Sequence, residues 1–387
     1  MFKILTLNNI SPAGLERFST ERYTVGSELT SPDAILLRSF DMHDYEIPPS
    51  LKAVARAGAG VNNIPVARLS QRGIPVFNTP GANANAVKEL VLAGMLLGAR
   101  NICQAWRFVE SIEGDDAALD EGVEAGKRSF VGFELPGRTL GVIGLGAIGV
   151  LVANAALRLG MRVMGYDPEL TVRRAWQLSS EVIQAQSLKD LLGQSDFVTI
   201  HVPLSERTKE LINSDSIRDM RREATLLNFS RRGIVVDDAV VGALDAGMLN
   251  AYVCDFPTTK LRGHAKIVAL PHIGASTREA EANCAVMASR QLRDFLEDGN
   301  ITNSVNFPEV VMPRISAARV ALVNANVPNM LGQISTTLAR ADLNILDMLN
   351  RSRGELAYTL TDVEGEIPPK VLADLAAIDG VMSVRAL

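Results

Sequence analysis

The sequence has little cysteine. Its three cysteines, Cys103, Cys254 and Cys284, stand far apart among 387 residues and form no CxxC pair. This scarcity argues against a disulfide framework and a zinc ribbon, and we expect no metal site. The apolar run at residues 2–7 soon meets Asn8 and Asn9 and is too short for a signal peptide, so we expect a cytoplasmic protein.

Neither sign of charge is in large excess. The chain has 39 Lys+Arg and 44 Asp+Glu, a net charge of -5 that gives no general attraction to nucleic acid or an anionic membrane. With 47% apolar and 21% charged residues, the composition is that of a globular protein rather than a disordered one, and the length allows two or three domains. The one long uncharged stretch, residues 139–157, contains four glycines whose spacing indicates something other than a membrane span.

Short apolar segments alternate with helical or loop segments in two successive series. The predicted strands are residues 2–7, 34–37, 51–57 and 75–77, then 140–143, 163–166, 197–200, 225–228, 251–254 and 267–270. Such repeats predict an α/β protein with two doubly wound, Rossmann-like parallel-sheet domains. Residues 87–100 predict a buried helix that serves either the core or a dimer interface, and residues 276–297 predict a long helix.

The strongest motif is a glycine pattern at Gly144, Gly146 and Gly149, which follows a predicted strand and opens a predicted helix. Ala147 and Ile148 complete the turn, whose backbone N–H groups and helix dipole suit a pyrophosphate. Asp167, 18 residues past the last glycine, ends the next strand, where a carboxylate binds the ribose hydroxyls and repels a 2′-phosphate. The motif therefore predicts a dinucleotide site that prefers NAD.

Oxidation of an alcohol by NAD needs a base for the hydroxyl proton and a cation for an anionic substrate. His272 follows the last predicted strand and can face a cleft, whereas His201 ends a strand nearer the adenosine half and is expected to line the site. Arg231 or Arg232, after the strand ending at residue 228, could bind a carboxylate through two hydrogen bonds.

The first series of strands offers a second set of cations. Arg38 and Arg56 each follow an apolar strand, and Arg56 precedes the glycine-rich turn of residues 58–60, whose N–H groups could form an anion nest. Together they indicate an anionic substrate.

Short matches in order along most of the chain carry a family resemblance. They are LRS (37–39), RAGAGVNNI (56–64), GIPVFNTP (73–80), GVIGLGAIG (141–149), HVPL (201–204), NFSR (228–231) and PHIGAST (271–277). The chain resembles the D-isomer-specific 2-hydroxyacid dehydrogenases, and among them the members that oxidise 3-phosphoglycerate to 3-phosphohydroxypyruvate, which opens L-serine biosynthesis.

The resemblance implies site residues one by one. His272 becomes the catalytic acid/base and Arg231, rather than Arg232, the catalytic arginine that holds the substrate; both also border the cofactor. Arg38 and Arg56 would bind the charged ends of the substrate. Its carboxylate would meet the N–H groups of Ala59, Gly60 and Val61. Further cofactor contacts are implied at His201, Val202, Pro203, Thr208, Phe229, Ser230, Asp255 and Gly274.

One position departs from the family pattern. A glutamate usually follows the aspartate and pairs with the histidine, but residues 255–260 read DFPTTK and contain no second acid. The resemblance leaves the partner of His272 open.

The last part of the chain resembles an ACT domain, a βαββαβ regulatory module that binds amino acids. By that resemblance Asn326 and Asn344 would bind L-serine as an effector, with Asn324 in place of a family histidine; the alternative is a domain that only dimerises. The implied organisation is a substrate-binding domain at 1–88 and 275–306, an NAD-binding domain at 89–274, a linker at 307–314 and an ACT domain at 315–387, in a homodimer or homotetramer.

Two other functions stay open from the sequence. A glyoxylate or hydroxypyruvate reductase would usually lack the C-terminal domain and would need no phosphate site. A non-catalytic NAD-sensing regulatory protein would be consistent with the missing glutamate, although Arg231 and His272 argue against it.

Overall fold

The computed structural model describes all 387 residues and divides into two compact units. The central unit is Ala84–Thr277, and the discontinuous unit joins Met1–Asn83 with Arg278–Leu387. None of the helices combines the length and the hydropathy that a membrane-spanning segment requires.

The discontinuous unit begins with a five-stranded parallel sheet in the order β2-β1-β3-β4-β5. Its elements are β1 (Phe2–Leu7), α1 (Pro12–Leu15), β2 (Tyr23–Gly26), β3 (Ala34–Leu37), β4 (Ala53–Arg56), α2 (Val66–Gln71) and β5 (Val76–Phe77). Strand β3 is buried at all four residues, as expected for a parallel strand that is covered on both faces.

The central unit holds a seven-stranded parallel sheet in the order β12-β11-β10-β9-β6-β7-β8. Its helices are α3 (Ala84–Arg100), α4 (Ile102–Glu110), α5 (Asp116–Gly126), α6 (Ala147–Arg158), α7 (Val172–Ala175), α8 (Leu188–Gln194), α9 (Ser214–Arg218) and α10 (Asp237–Asp245), with a short 3₁₀ helix at Lys127–Phe130. Its strands are β6 (Thr139–Ile143), β7 (Arg162–Tyr166), β8 (Ile183–Gln184), β9 (Phe197–Ile200), β10 (Ala224–Asn228), β11 (Leu249–Cys254) and β12 (Ile267–Ala269).

Helix α3 packs Val87, Val91, Met95 and Ala99 into the core of this unit, whereas its Leu96 is exposed, so the dimer-interface alternative stays open. The uncharged stretch 139–157 is strand β6 followed by helix α6. The sheet and its helices thus have the predicted doubly wound form.

The chain then returns to the discontinuous unit through α11 (Arg278–Asp298), which packs on the first sheet through Leu292, Phe295 and Leu296. The remaining elements are β13 (Ala318–Ala325), α12 (Met330–Arg340), β14 (Ile345–Arg353), β15 (Leu356–Val363), α13 (Pro369–Ala376) and β16 (Val381–Ala386). They form an antiparallel sheet in the order β14-β15-β13-β16 and follow the βαββαβ order that the ACT resemblance implies.

This C-terminal sheet is covered on both faces, because successive side chains of β13 point to opposite faces of the sheet and both sets are packed. Val320 and Leu322 pack under α12 and α13, whereas Ala321 and Val323 join the core that surrounds Phe295. The C-terminal sheet therefore shares a hydrophobic core with the first sheet and α11.

The structure differs from the sequence expectations at several elements. The segment 307–314, expected as a linker, buries Phe307, Val310 and Met312 in the shared core. Strands β2 and β8 were not predicted: β2 is a short edge strand, and the two residues of β8 are exposed. Such strands lack the buried apolar run that predicts a strand.

Candidate functional site

The carboxyl edge of the central sheet carries nearly all the predicted cofactor and catalytic residues. Strands β6, β9, β10, β11 and β12 are parallel neighbours, so the segments that follow them lie side by side. These segments begin at Gly144, His201, Phe229, Asp255 and Leu270, respectively. The topology thus brings to one edge residues that are more than 120 positions apart in the chain.

The glycine turn after β6 has the backbone that its sequence predicts. Gly144 has φ +88°, and a Cβ there would lie 2.8 Å from the carbonyl oxygen of His201. A Cβ on Gly149 would lie 1.9 Å from the carbonyl oxygen of Gly144, so only glycine fits. A Cβ on Gly146, in contrast, would meet nothing within 4 Å. The open space beside Gly146, at the N-terminus of α6, fits a pyrophosphate.

Asp167 turns back to this loop from the end of β7. Its Oδ2 accepts a hydrogen bond from the N–H of Leu145 at 2.8 Å, and its Oδ1 accepts one from the N–H of Glu169 at 2.9 Å. The carboxylate is therefore fixed beside the glycine turn, where its remaining lone pairs can accept from ribose hydroxyls.

His201 is half-buried, and desolvation of its ring lowers its pKa to about 3, so its imidazole is neutral at physiological pH. Its Nε2 lies 3.0 Å from the hydroxyl of Thr199, while its buried Nδ1 has no hydrogen-bond partner. A buried polar atom without a partner fits a residue that lines a ligand site, as expected, and a neutral ring at this pKa is unsuited to act as a base.

The next segments hold one another in place. The hydroxyl of Ser230 donates to the carbonyl of Val202, and the hydroxyl of Thr208 bonds to the carbonyl of Pro203. Phe229 is buried and packs against Gly94, where a Cβ would lie 2.8 Å from its ring. These contacts give the predicted lining residues fixed backbone positions.

Arg231 is exposed just beyond β10, and Asn228 organises its loop. The buried amide of Asn228 donates to the carbonyl of Arg231 at 3.0 Å and accepts from the N–H of Ser230 at 3.1 Å. The Arg231 guanidinium donates to the carbonyl of Ser230 at 2.7 Å, whereas that of Arg232 donates to Pro257. Most donors of Arg231 stay available for a carboxylate.

His272 has φ +56°, a left-handed conformation that is uncommon for a residue with a side chain. Asp255, only 1% exposed, stabilises it: its carboxylate accepts from the N–H of Ile273 at 2.8 Å and from that of Gly274 at 2.7 Å. The imidazole lies against the ring of Phe256, with 4.9 Å between ring centroids, and it has no carboxylate partner. The structure thus gives Asp255 a positioning role, and its implied nicotinamide contact stays a prediction.

In the discontinuous unit, the predicted substrate arginines are already engaged. Arg38 pairs with Glu281 of α11 at 2.6 Å. Arg56 donates to the carbonyls of Arg38 at 2.8 Å and Gly60 at 2.7 Å, so it shapes the loop of residues 58–61. The N–H groups of Ala59, Gly60 and Val61 donate to no group of the protein and remain available for an anion.

The two predicted effector residues do not meet within one chain. β13 and β14 are both antiparallel to β15, and Ala318 and Ile345 are both level with Val363. Asn344, which precedes β14, is therefore level with the start of β13, whereas Asn326 lies just beyond the end of β13, about 25 Å away along the strand at ~3.3 Å per residue. Asn326 donates to the carbonyl of Gly354 at 3.1 Å and Asn344 to the carboxylate of Glu364 at 3.3 Å.

Sequence reasoning did not identify three residues of these sites: Asn228, Phe256 and Glu281. A buried amide that ends an apolar strand is a signal that could have identified Asn228. Phe256 and Glu281 gave no such signal, since their roles depend on contacts with distant residues.

Together, the fold and the glycine turn define a dinucleotide-binding α/β protein. A sequence model described as "D-isomer specific 2-hydroxyacid dehydrogenase, NAD binding domain" matches residues 92–274. The D-3-phosphoglycerate dehydrogenase of Haemophilus influenzae is 33% identical over 354 residues, 88% of this chain and 82% of that protein. The chain belongs to the D-isomer specific 2-hydroxyacid dehydrogenase family. The predicted cofactor, NAD, is confirmed.

Other relatives differ more in length or in sequence. The D-3-phosphoglycerate dehydrogenase of Methanocaldococcus jannaschii is 32% identical over 85% of this chain, which spans only 62% of that protein. The solved D-mandelate dehydrogenase of Rhodotorula graminis superposes with a TM-score of 0.68 at 23% identity, over 81% of this chain and 99% of its own. The likeness to this solved structure confirms the fold.

Proposed function

We propose that the chain catalyses the NAD-dependent oxidation of 3-phosphoglycerate to 3-phosphohydroxypyruvate, the first step of L-serine biosynthesis. The observation that carries the proposal is the placement of Arg231 and His272 after β10 and β12, at the sheet edge that also holds the glycine turn. Relatives named D-3-phosphoglycerate dehydrogenase, one of them 33% identical over 88% of this chain, support the choice of substrate.

Each residue has a chemical role in the proposed reaction. His272 accepts the proton of the 2-hydroxyl group, and the hydrogen bonds from Ile273 and Gly274 to Asp255 hold its backbone in place. Arg231 binds the substrate carboxylate and so fixes the orientation of carbon 2. Arg38 or Arg56 receives the phosphate. NAD, when bound, accepts the hydride that leaves carbon 2.

The proposal extends to regulation, assembly and location. The βαββαβ order of residues 318–386 supports an ACT domain with L-serine as its effector. Because Asn326 and Asn344 lie at opposite ends of its sheet, a serine site that uses both needs a second copy of the chain, which agrees with a homodimer or homotetramer. We place the enzyme in the cytoplasm.

The test is NADH formation by the purified chain with 3-phosphoglycerate, with and without L-serine. Arg231→Gln is expected to lower kcat/KM about 100-fold or more, because a charged pair with substrate is lost, while NAD affinity stays nearly unchanged. Arg232→Gln is the matched control, since it removes the same charge from the adjacent position and should retain activity.

The same assay separates the alternatives. Faster turnover of glyoxylate or hydroxypyruvate with NADH would replace the proposal with a reductase. NAD binding without turnover of any of these substrates would favour a regulatory NAD-sensing protein, which the missing glutamate beside His272 makes a specific alternative. An equal loss of activity in both arginine variants would contradict the role of Arg231.

A further inference from the structure

A cavity of about 330 Å³ opens between the first sheet and the C-terminal sheet, inside the discontinuous unit, and none of its lining residues is a site residue described above. Residues 49–52 and 72–74 line one side, Phe295 of α11 lies at its base, and β13, β15 and β16 form the other side. Its volume is at the lower end of the range for small-molecule sites, about 300–1,000 Å³.

The walls of this cavity have charge of one sign. Lys52, Arg72 and Arg385 line it, and no aspartate or glutamate does. The nearest compensation is Asp33, outside the lining, which pairs with Lys52 at 2.7 Å. Three cations and one carboxylate leave a formal charge of +2 in the structure around one small cavity.

The two arginines are held in place but are far from saturated. Arg72 donates to the carbonyls of Ile47 at 2.6 Å and Pro48 at 3.3 Å. Arg385 donates to the carbonyl of Phe295 at 3.2 Å, and its guanidinium stacks on the Phe295 ring at 4.1 Å. Since a guanidinium has five N–H donors, each arginine keeps donors for an anion, and neither needs to be ordered when that anion binds.

The remaining lining is apolar or neutral. Ile74, Val323, Phe295 and Met382 supply apolar surface, and the hydroxyl of Tyr358 is occupied by the carbonyl of Gly299 at 2.7 Å. A ligand with an anionic head and a short apolar body therefore fits best. An amino acid fits worse, because its ammonium group would find no carboxylate in the lining and would face three cations.

We propose that this cavity is a binding site for a small organic anion, a phosphate monoester or carboxylate without an amino group. The cavity lies at the amino ends of β4 and β5, because Lys52 precedes β4 and residues 73–74 precede β5. The loop of residues 58–61, proposed to bind the substrate carboxylate, follows the opposite, carboxyl end of β4. A bound anion would link Arg385 of β16 to Arg72, which lies between α2 and β5. The C-terminal sheet would then respond to an anion in addition to the proposed serine.

The test is calorimetric titration of the full chain with n-butyl phosphate, butyrate and inorganic phosphate, each in low salt. We expect saturable binding of at least n-butyl phosphate at one site per chain, weakened by salt because charge contributes to affinity. The comparison of the three probes identifies the preferred head group and the contribution of the apolar body. L-Serine should not compete.

Matched variants locate the site. Arg385→Gln and Arg72→Gln should each weaken binding about tenfold or more, since each removes a charged hydrogen-bond donor. Arg340→Gln, on the exposed end of α12 beyond the opposite face of the C-terminal sheet, removes the same charge and should leave binding unchanged. If an arginine variant fails to fold, Ser383→Asp places a carboxylate in the cavity and should also abolish binding.

Three results would overturn the inference: no saturable binding of any probe, equal binding by the Arg385 and Arg340 variants, or binding that is lost in Arg38→Gln instead. The last result would place the anion at the proposed substrate site. The titration needs no catalysis, so inactivity of the chain would count against the proposed function and leave the anion site standing.

Discussion

The buried ion pair between Arg319 and Asp362 yields the sharpest stability prediction. Both side chains are fully buried, and two guanidinium nitrogens of Arg319 bond to the two carboxylate oxygens at 2.6 and 2.9 Å. Arg319 also donates to three carbonyls, those of Asp298 at 2.9 Å, Met312 at 3.0 Å and Pro313 at 3.1 Å. One side chain thus ties β13 and β15 to the end of α11 and to the segment that precedes β13.

Arg319→Met keeps the length of the side chain but leaves the Asp362 carboxylate buried without its cation. Removal of one partner of a buried pair costs about 3–5 kcal/mol, which corresponds to an increase in the opening equilibrium of roughly 100-fold to several thousand-fold. Arg340→Met, at an exposed position, should change stability by less than ~0.5 kcal/mol. Arg319→Met/Asp362→Leu should be less destabilised than Arg319→Met, since no charge is left unpaired.

Amide hydrogen exchange is the appropriate assay, because both tryptophans, Trp106 and Trp176, lie in the central unit and do not report on this pair. Peptides from β13 and β15 should lose protection in Arg319→Met, while β9 of the central unit serves as the internal reference. A loss of protection below about tenfold at β13 and β15 would refute the reasoning, since it would mean that the pair contributes no more than an exposed one.

The pair also predicts a dependence on pH. Burial alone would raise the pKa of Asp362, but hydrogen bonds from Arg319 and from the N–H of Ile315 together hold it below its ordinary value of 3.8. A depressed pKa in the folded state contributes stability above the ordinary value, and this contribution disappears as the pH falls through the lower, folded value. Acid should therefore abolish the difference in protection between the wild-type chain and Asp362→Asn, and a difference that persists in strong acid would contradict the assignment.

Three further predictions concern the proposed reaction. His272→Gln should lower kcat about 10²–10⁴-fold in the NADH assay while calorimetry finds NAD affinity retained; a lost NAD affinity would assign His272 to binding. Gly146→Ala should leave the melting temperature unchanged and weaken NAD binding about tenfold or more, whereas Gly149→Ala should lower the melting temperature, because its Cβ would lie 1.9 Å from a carbonyl oxygen. Glu281→Gln should lower the KM for 3-phosphoglycerate a few-fold, about what an exposed ion pair is worth, because it removes the carboxylate that competes for Arg38; a higher KM would show that Glu281 orients that arginine.

The sequence was sufficient for the architecture because parallel α/β folds have a strong local pattern. Strand β9 has the predicted bounds, and most other strands of the central sheet differ from prediction by one or two residues. Each is a short, mostly apolar run, which is what a strand covered on both faces requires. The βαββαβ order at the C-terminus came from resemblance, because β14 is half exposed and has no such run.

The site was predictable in position more than in contacts. The rule that ligands lie beyond the carboxyl ends of parallel strands places Gly144, His201, Arg231 and His272 at one edge without any knowledge of side-chain geometry. The same rule cannot show that Arg56 is engaged with two backbone carbonyls. Side-chain partners depend on residues distant in sequence, and a single sequence contains no record of those pairings.

The missing glutamate is an example, because only the structure shows what holds His272 in place without it. A glutamate beside a catalytic histidine has two effects: it raises the pKa of the ring and it holds the ring in place. In this chain, two hydrogen bonds of 2.8 and 2.7 Å from the backbone that follows His272 end on one buried carboxylate, Asp255. They stabilise a left-handed residue that would otherwise relax, and the ring of Phe256 packs against the imidazole. The position of His272 is therefore fixed by these backbone hydrogen bonds. What is missing, without the glutamate, is a negative charge beside the ring. Any change in the chemistry of His272 should accordingly appear in the pH dependence of kcat rather than in the KM for substrate.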